Sequence, residues 1–155
     1  MPSLSELLLR PETKPKVIEG CVALVDREVA GKRGFGGAAV KAGFAVVTRV
    51  KPGFVREVVS KLLPDFADSL QPIYERSVSE SGGEAGSAEA ADAFVSRLSA
   101  DQRGAAEALL GVTDRKIGGA RPAVKKAYDR LRPNARENVE AALPGLAQTM
   151  RPYLV

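Results

Sequence analysis

Two Gly-rich, basic segments are the places where this sequence could do chemistry. The first reads Gly31-Lys32-Arg33-Gly34-Phe35-Gly36-Gly37. The second reads Lys116-Ile117-Gly118-Gly119-Ala120-Arg121-Pro122. Each is followed by a helical pattern. A helix start offers free N–H groups and a partial positive charge, which suits a phosphate or carboxylate. The candidate anion-binding residues are therefore Lys32, Arg33, Gly36, Gly37, Lys116, Gly118, Gly119, Arg121 and Lys125. The plainer reading is structural: Gly31 and Gly118 end the preceding helix in the left-handed conformation, and the other glycines turn a tight corner. No G-x-x-x-x-G-K-[ST] pattern occurs, and no strand precedes either turn, so neither a P-loop nor a dinucleotide fingerprint is present.

A basic cluster surrounds the second segment: Arg115, Lys116, Arg121, Lys125, Lys126, Arg130, Arg132 and Arg136, offset by Asp114 and Asp129. Lys32, Arg33, Lys41, Arg49, Lys51 and Arg56 echo it earlier in the chain. Such a face suits nucleic acid or an anionic membrane surface. A solvated helix face with i,i+4 pairs such as Lys125 with Asp129 explains it as well. The absences close other routes. The chain has no histidine, one cysteine and no tryptophan, and aromatics make up 5%. Histidine general bases, zinc sites and iron–sulfur clusters are thereby excluded. Cys21 falls on an apolar helix face and reads as a core residue. Nothing points to catalysis by the remaining side chains. No catalytic residue, metal site or cofactor is expected.

The elements that position these segments come from a repeat. Residues from about Leu4 to Tyr74 reappear, shortened, from about Asp92 to Leu154. Asp26-Arg27 returns as Asp114-Arg115, Ala39-Val40-Lys41 as Ala123-Val124-Lys125, and Phe44 as Tyr128. Arg49-Val50-Lys51-Pro52 returns as Arg130-Leu131-Arg132-Pro133. Arg56-Glu57 and Leu63-Pro64 return as Arg136-Glu137 and Leu143-Pro144. A repeat of this length predicts one duplicated helical unit. The expected domains are a first helical repeat at 1–76, a flexible Ser/Gly/Glu-rich linker at 77–91 and a second repeat at 92–155. Met1–Ser77 carries a net +3, Val78–Asp92 a net −4 and Ala93–Val155 a net +5, within a total of +4. The ions kept in both copies, Asp26-Arg27 with Asp114-Arg115 and Arg56-Glu57 with Arg136-Glu137, read as structural pairs at the repeat interface.

Helix signals dominate both copies. Ser3 with Glu6, and Ser99 with Gln102, read as capping boxes. Ile18, Cys21, Val22, Val25 and Val29 follow helical spacing, as do Val40, Phe44 and Val47, and Val124, Tyr128 and Leu131. Pro52 and Pro133, then Pro64 and Pro144, are expected to break helices, with Pro72 kinking the last one of the first copy. The predicted fold is all-α: a bundle of about eight to ten short helices, with two halves packed about a pseudo-two-fold axis. Two consecutive turns of an α-solenoid are the alternative.

The chain also resembles a family of small bacterial proteins of unknown function, mainly actinobacterial. The resemblance rests on the opening Ser3-Leu4-Ser5-Glu6-Leu7-Leu8-Leu9, on Leu24-Val25-Asp26-Arg27-Glu28-Val29 and on Gly37 through Gly43. It continues in Val50-Lys51-Pro52-Gly53, Leu63-Pro64-Asp65-Phe66, Ala105 through Asp114 and Ala127 through Arg132. It implies a helical intracellular protein and carries no catalytic residues across. With hydrophobic residues at 45% and charged residues at 27%, no apolar run of membrane-spanning length and no signal-peptide pattern, a cytoplasmic protein is expected. The functional expectation is a non-enzymatic helical interaction module that binds a protein partner or itself. The alternatives are a basic module for nucleic acid, a phosphorylated ligand or an anionic membrane surface, and a carrier of a lipid or other apolar ligand.

Overall fold

A computed structural model describes residues 2–31 and 34–155. Among them there are seven α-helices and no strand: α1 (Leu4–Leu8), α2 (Lys14–Gly31), α3 (Gly34–Val50), α4 (Phe54–Ser81), α5 (Ala88–Ala100), α6 (Gln102–Lys116) and α7 (Pro122–Met150). Short 3-10 turns follow α6 at Ile117–Gly119 and α7 at Arg151–Tyr153.

The count falls short of the expected eight to ten because the prolines do not break helices as anticipated. Pro64 and Pro72 lie inside α4, and Pro133 and Pro144 inside α7. An interior proline costs about 3 kcal/mol. Burial offsets that cost here: Leu62, Leu63, Ala67 and Leu70 are buried around Pro64, and Leu143 and Ala147 around Pro144. Only Pro52 sits at a break, where Gly53 follows in the left-handed region at φ 77°. After Pro133 the residue is Asn134, which stays helical, so α7 runs unbroken where α3 and α4 are separate.

The segment expected to be a linker is largely helical. Ser77 through Ser81 complete α4, Gly82 ends it at φ 73°, and Ala88 through Ala91 begin α5. Ser77, Ala90 and Ala91 are wholly buried. The intervening turn is tied down, since the Gly86 N–H donates to Tyr74 Oη at 2.9 Å. The helix caps differ in part from the sequence reading. α1 is capped by Ser3 as expected, its Oγ accepting from the Glu6 N–H, but α6 is capped by Asp101, which accepts from the Gly104 N–H at 3.1 Å. Ser99 lies inside α5, so it cannot cap α6. Positive φ among the described residues occurs only at Gly53, Gly82 and Gly86. Gly31 and Gly118 are therefore not left-handed caps: Gly31 is the last residue of α2, and α6 tightens into the 3-10 turn instead.

The main core gathers α1, α2, the central and C-terminal part of α4, α5 and the C-terminal part of α7. Its centre is Tyr74 against Phe94, edge to face at 5.3 Å between ring centroids and 87° between planes, with Leu4, Leu7, Leu70 and Leu98 around them. A second, small cluster of Val47, Val124 and Ala127 lies between α3 and α7, flanked by Phe54, Ile117 and Ala120.

Helix α7 is the spine of the arrangement. Gly145 lies so close to α2 that a Cβ there would stand 2.5 Å from Leu24 Cδ1, and a Cβ on Gly20 would stand 2.6 Å from Thr149 Cγ2. A Cβ on Gly43 would meet Leu131 Cδ1 at 2.9 Å. Positions rising along α2 and then α3 thus meet positions falling along α7. The two helices follow one another antiparallel to it.

Candidate functional site

Two clefts open in this frame, both beside Tyr128. The first, of about 410 Å³, lies between the start of α4, the end of α6 with its 3-10 turn, and the start of α7. The first turns of α4 place Phe54, Val58 and Leu62 at i, i+4, i+8 spacing on one face, which supplies apolar floor. Ile117, Ala120 and Val124 complete it. Lys51, Lys61, Lys116 and Arg121 stand at the rim with a single carboxylate, Glu57. The rim charges are exposed.

These cations are unequally engaged. Lys51 Nζ lies 2.6 Å from Glu57 Oε2, and Lys116 Nζ lies 3.3 Å from Asp65 Oδ2. Lys61 and Arg121 form no ion pair among the described residues. The Lys51 hydrogen bond holds the Glu57 carboxyl below its usual range, and the fields of Lys61 and Arg121 add to that effect. Several cations thus already act together on one carboxylate.

The second cleft, of about 310 Å³, lies at the junction of α2 and α3 with α7. Val25, Val29, Val40, Phe44, Leu131 and Ala142 are among its lining residues, and Glu28 is the one charged residue lining it among those described. Thr113 and Tyr128 line both clefts. A polar network fixes this shared wall. Tyr128 Oη donates to the Asp114 carboxylate and lies 2.8 Å from Thr113 Oγ1. Arg132 grips both Asp114 oxygens, Nε to Oδ1 at 2.9 Å and Nη2 to Oδ2 at 3.0 Å. The Arg132 and Tyr128 hydrogen bonds hold the Asp114 carboxyl below its usual range. Burial, and then the hydrogen bond to Asp114, push the Tyr128 phenol up.

The residues singled out from sequence separate into those the fold gathers and those it does not. Lys116, Gly119 and Arg121 line the first cleft; Gly118 and Lys125 line neither. Lys125 makes no ion pair with Asp129. Lys32 and Arg33 lie outside the described residues. Gly36 and Gly37 belong to the first turn of α3 rather than to a loop, and Gly37 is buried. Because α3 runs antiparallel to α7, Gly37 sits at the opposite end of that helix pair from Arg121. Gly37 therefore does not share a site with Arg121. The repeated ions also pair differently from their sequence neighbours: Asp114 with Arg132, Arg56 with Glu19, Glu57 with Lys51 and Arg136 with Glu140. Each lies within one half of the chain rather than between the halves. Cys21 packs against the main core, and burial pushes its thiol up to about 11.

Lys61, Phe54 and Tyr128 as cleft residues escaped the sequence reading. For Phe54 and Lys61 the signal was present in the α4 face Phe54, Val58, Leu62 flanked by Glu57 and Lys61. An apolar stripe edged by charge reads equally as an ordinary amphipathic helix. No group of three or more Cys, Asp or Glu side chains that could hold a metal occurs among the described residues.

Over residues 4–154 the sequence matches a protein family of unknown function, DUF6918, and the chain belongs to that family. No curated protein and no solved structure matches it.

Proposed function

We propose that this DUF6918 member is a non-enzymatic binding module for an anionic ligand, held in the cleft between α4, α6 and α7. The observation that carries this reading is the cleft's make-up: an apolar floor under Lys51, Lys61, Lys116 and Arg121, with Glu57 the one carboxylate lining it and Asp65 beside Lys116. Its volume falls in the range of about 300–1,000 Å³ usual for small-ligand sites, and its pattern of apolar lining with a few convergent polar groups is the usual one. A protein partner or second copy has less to hold. Among the described side chains, Phe35 and Val50 not being among them, only Val46 and Val155 are large apolar side chains exposed at the surface.

The reading extends to the origin of the site, a tandem duplication with pseudo-two-fold packing. Support comes from the element order, in which α1, α2 and α3 plus α4 are followed by α5, α6 and α7. It comes also from the clefts. Aligned by the repeat, Val25, Glu28, Val29, Val40 and Phe44 of the second cleft answer Thr113, Lys116, Ile117, Val124 and Tyr128 of the first. The cross-half contacts answer one another too: Lys116 reaches Asp65 on α4, and Glu28 lies near Gly145 on α7.

Amide chemical shifts recorded during titration with hexanoate test the binding site. Shifts confined to residues 51–62 and 113–128, and weakened at least tenfold by the Lys61→Ala, Arg121→Ala double variant, are expected. Shifts elsewhere, or none, overturn the assignment. Growth of the rotational correlation time with protein concentration alone would instead favour self-association.

A further inference from the structure

We infer that the ligand is an amphiphile, one anionic head on an unbranched apolar tail, with the head at the Lys61–Arg121 rim and the tail running past Tyr128 into the apolar cleft. This rests on the anion-binding reading above and adds the ligand's second half. Three observations carry it.

The clefts are neighbours: Thr113 and Tyr128 are walls of both. Their linings are complementary in polarity. Where the first cleft has Lys116, the second has Glu28; where the first has Tyr128, the second has Phe44. Lys51 and Lys61 of the first have no cationic counterpart lining the second. The shared wall is also anchored at its edge. Asp114 and Thr113 hold the Tyr128 hydroxyl, which fixes the ring as a surface a chain can lie along. One cleft thus offers charge over an apolar floor, and the next offers apolar surface with almost no polar group. A small anion would leave the second cleft unused, and a neutral hydrocarbon would leave the cations of the first unanswered. An anionic amphiphile satisfies both, because burying apolar surface and pairing charge are independent sources of affinity.

Glu57 has a place in this arrangement. It already lies against Lys51 within the field of Lys61 and Arg121, where a ligand head must compete with it. Removing its charge is therefore expected to tighten binding.

Calorimetric titration of the full chain with the even-numbered alkanoates from hexanoate to dodecanoate tests the inference, with dodecyl phosphate, dodecanol and inorganic phosphate as further arms. Affinity is expected to rise with chain length, up to roughly fourfold per added CH₂. Ala142→Phe, or Ala135→Phe should the first variant not fold, narrows the apolar cleft. It is expected to flatten that rise while leaving hexanoate unchanged. Lys61→Glu with Arg121→Glu is expected to weaken every chain length by one common factor of at least tenfold, and Glu57→Gln to strengthen every one severalfold. A preference between dodecanoate and dodecyl phosphate names the head group. Affinity flat with chain length, with inorganic phosphate binding as tightly as dodecanoate, would overturn the amphiphile and leave the anion reading standing. Dodecanol binding as tightly as dodecanoate would overturn the role of the cations. No binding by any arm would overturn both readings.

Discussion

The two ends of this bundle are built to different standards. At one end α1, α4, α5 and the C-terminal part of α7 close on Tyr74 and Phe94, both wholly buried, inside a ring of leucines. At the other, the buried cluster between α3 and α7 is Val47, Val124 and Ala127 among the described residues, and two clefts flank Tyr128. The same kind of element, an amphipathic helix against α7, gives a filled core in one place and open apolar surface in the other. The difference lies in how far the large side chains are buried. Leucines and two aromatic rings are wholly buried in the closed end, whereas at the open end Phe54 and Ile117 are only partly buried against two valines and an alanine. Close-packed interiors carry stability; the open end leaves two clefts beside Tyr128.

The sharpest way to break this contrast is by truncation at both ends. Phe94→Ala is expected to cost about 3–5 kcal/mol of unfolding free energy, read from urea denaturation. Val124→Ala at the open end is expected to cost about 1.6 kcal/mol, two carbons at about 0.8 kcal/mol per buried CH₂. Equal losses would show that the open end is as tightly packed as the closed one.

Tyr74→Phe keeps the edge-to-face ring pair but removes the acceptor of the Gly86 N–H. It is expected to cost about 1–3 kcal/mol, and to speed hydrogen exchange at Gly86 before exchange in α4. Loss of protection throughout the chain at once would mean that the turn at 82–87 has no local opening of its own.

Smaller still is a pair of glycine changes. Gly145→Ala pushes a methyl to 2.5 Å from Leu24 Cδ1 and is expected to lower stability by about 1 kcal/mol, overpacking outweighing the gain in helix propensity. Gly111→Ala in α6 meets only the tip of the flexible Arg115 side chain, at 3.4 Å, and is expected to raise stability by up to about 1 kcal/mol. Thermal melts of the two variants should move in opposite directions.

The smallest effect concerns the wall between the clefts. Asp114 has its pKa lowered in the folded chain, chiefly by Arg132 and then Tyr128. A lowered carboxyl pKa stabilises the fold fully above the ordinary value of 3.8 and loses that contribution as pH falls through the lower folded value. Asp114→Asn should therefore reduce the urea midpoint slightly at pH 7, with the difference from the unsubstituted chain vanishing toward pH 2. A difference that persists at pH 2 would assign the effect to packing instead of charge.

Much of the helix content could be read from spacing. The run Ile18, Cys21, Val22, Val25, Val29 is one face of α2, Ser3 caps α1, and Cys21 is a core side chain. The prolines misled because a proline's cost is local while the compensation, burial of Leu62, Leu63 and Leu143 against other helices, is not. The 77–91 segment misled for the same reason: its Ser, Gly and Glu composition is that of a linker, yet Ser77, Ala90 and Ala91 are small enough to be buried where helices meet. Of the candidate site, Lys116, Gly119 and Arg121 were visible as a basic Gly-rich segment. Their partners Lys51, Phe54 and Lys61 come from another helix, and no local pattern ties them to it.

The sequence by itself determined the helical class, the faces of the helices and the chemistry left available once histidine is absent and cysteine is single. Those properties depend on residue type and on spacing within one element. Tertiary structure alone decided which prolines interrupt a helix, that Gly37 and Arg121 lie at opposite ends of the α3–α7 pair, and that a cationic rim and an apolar cleft share Tyr128. Each of these depends on which helices meet and at what distance, and the glycines that set those distances show their role only once Leu24, Leu131 and Thr149 stand against them.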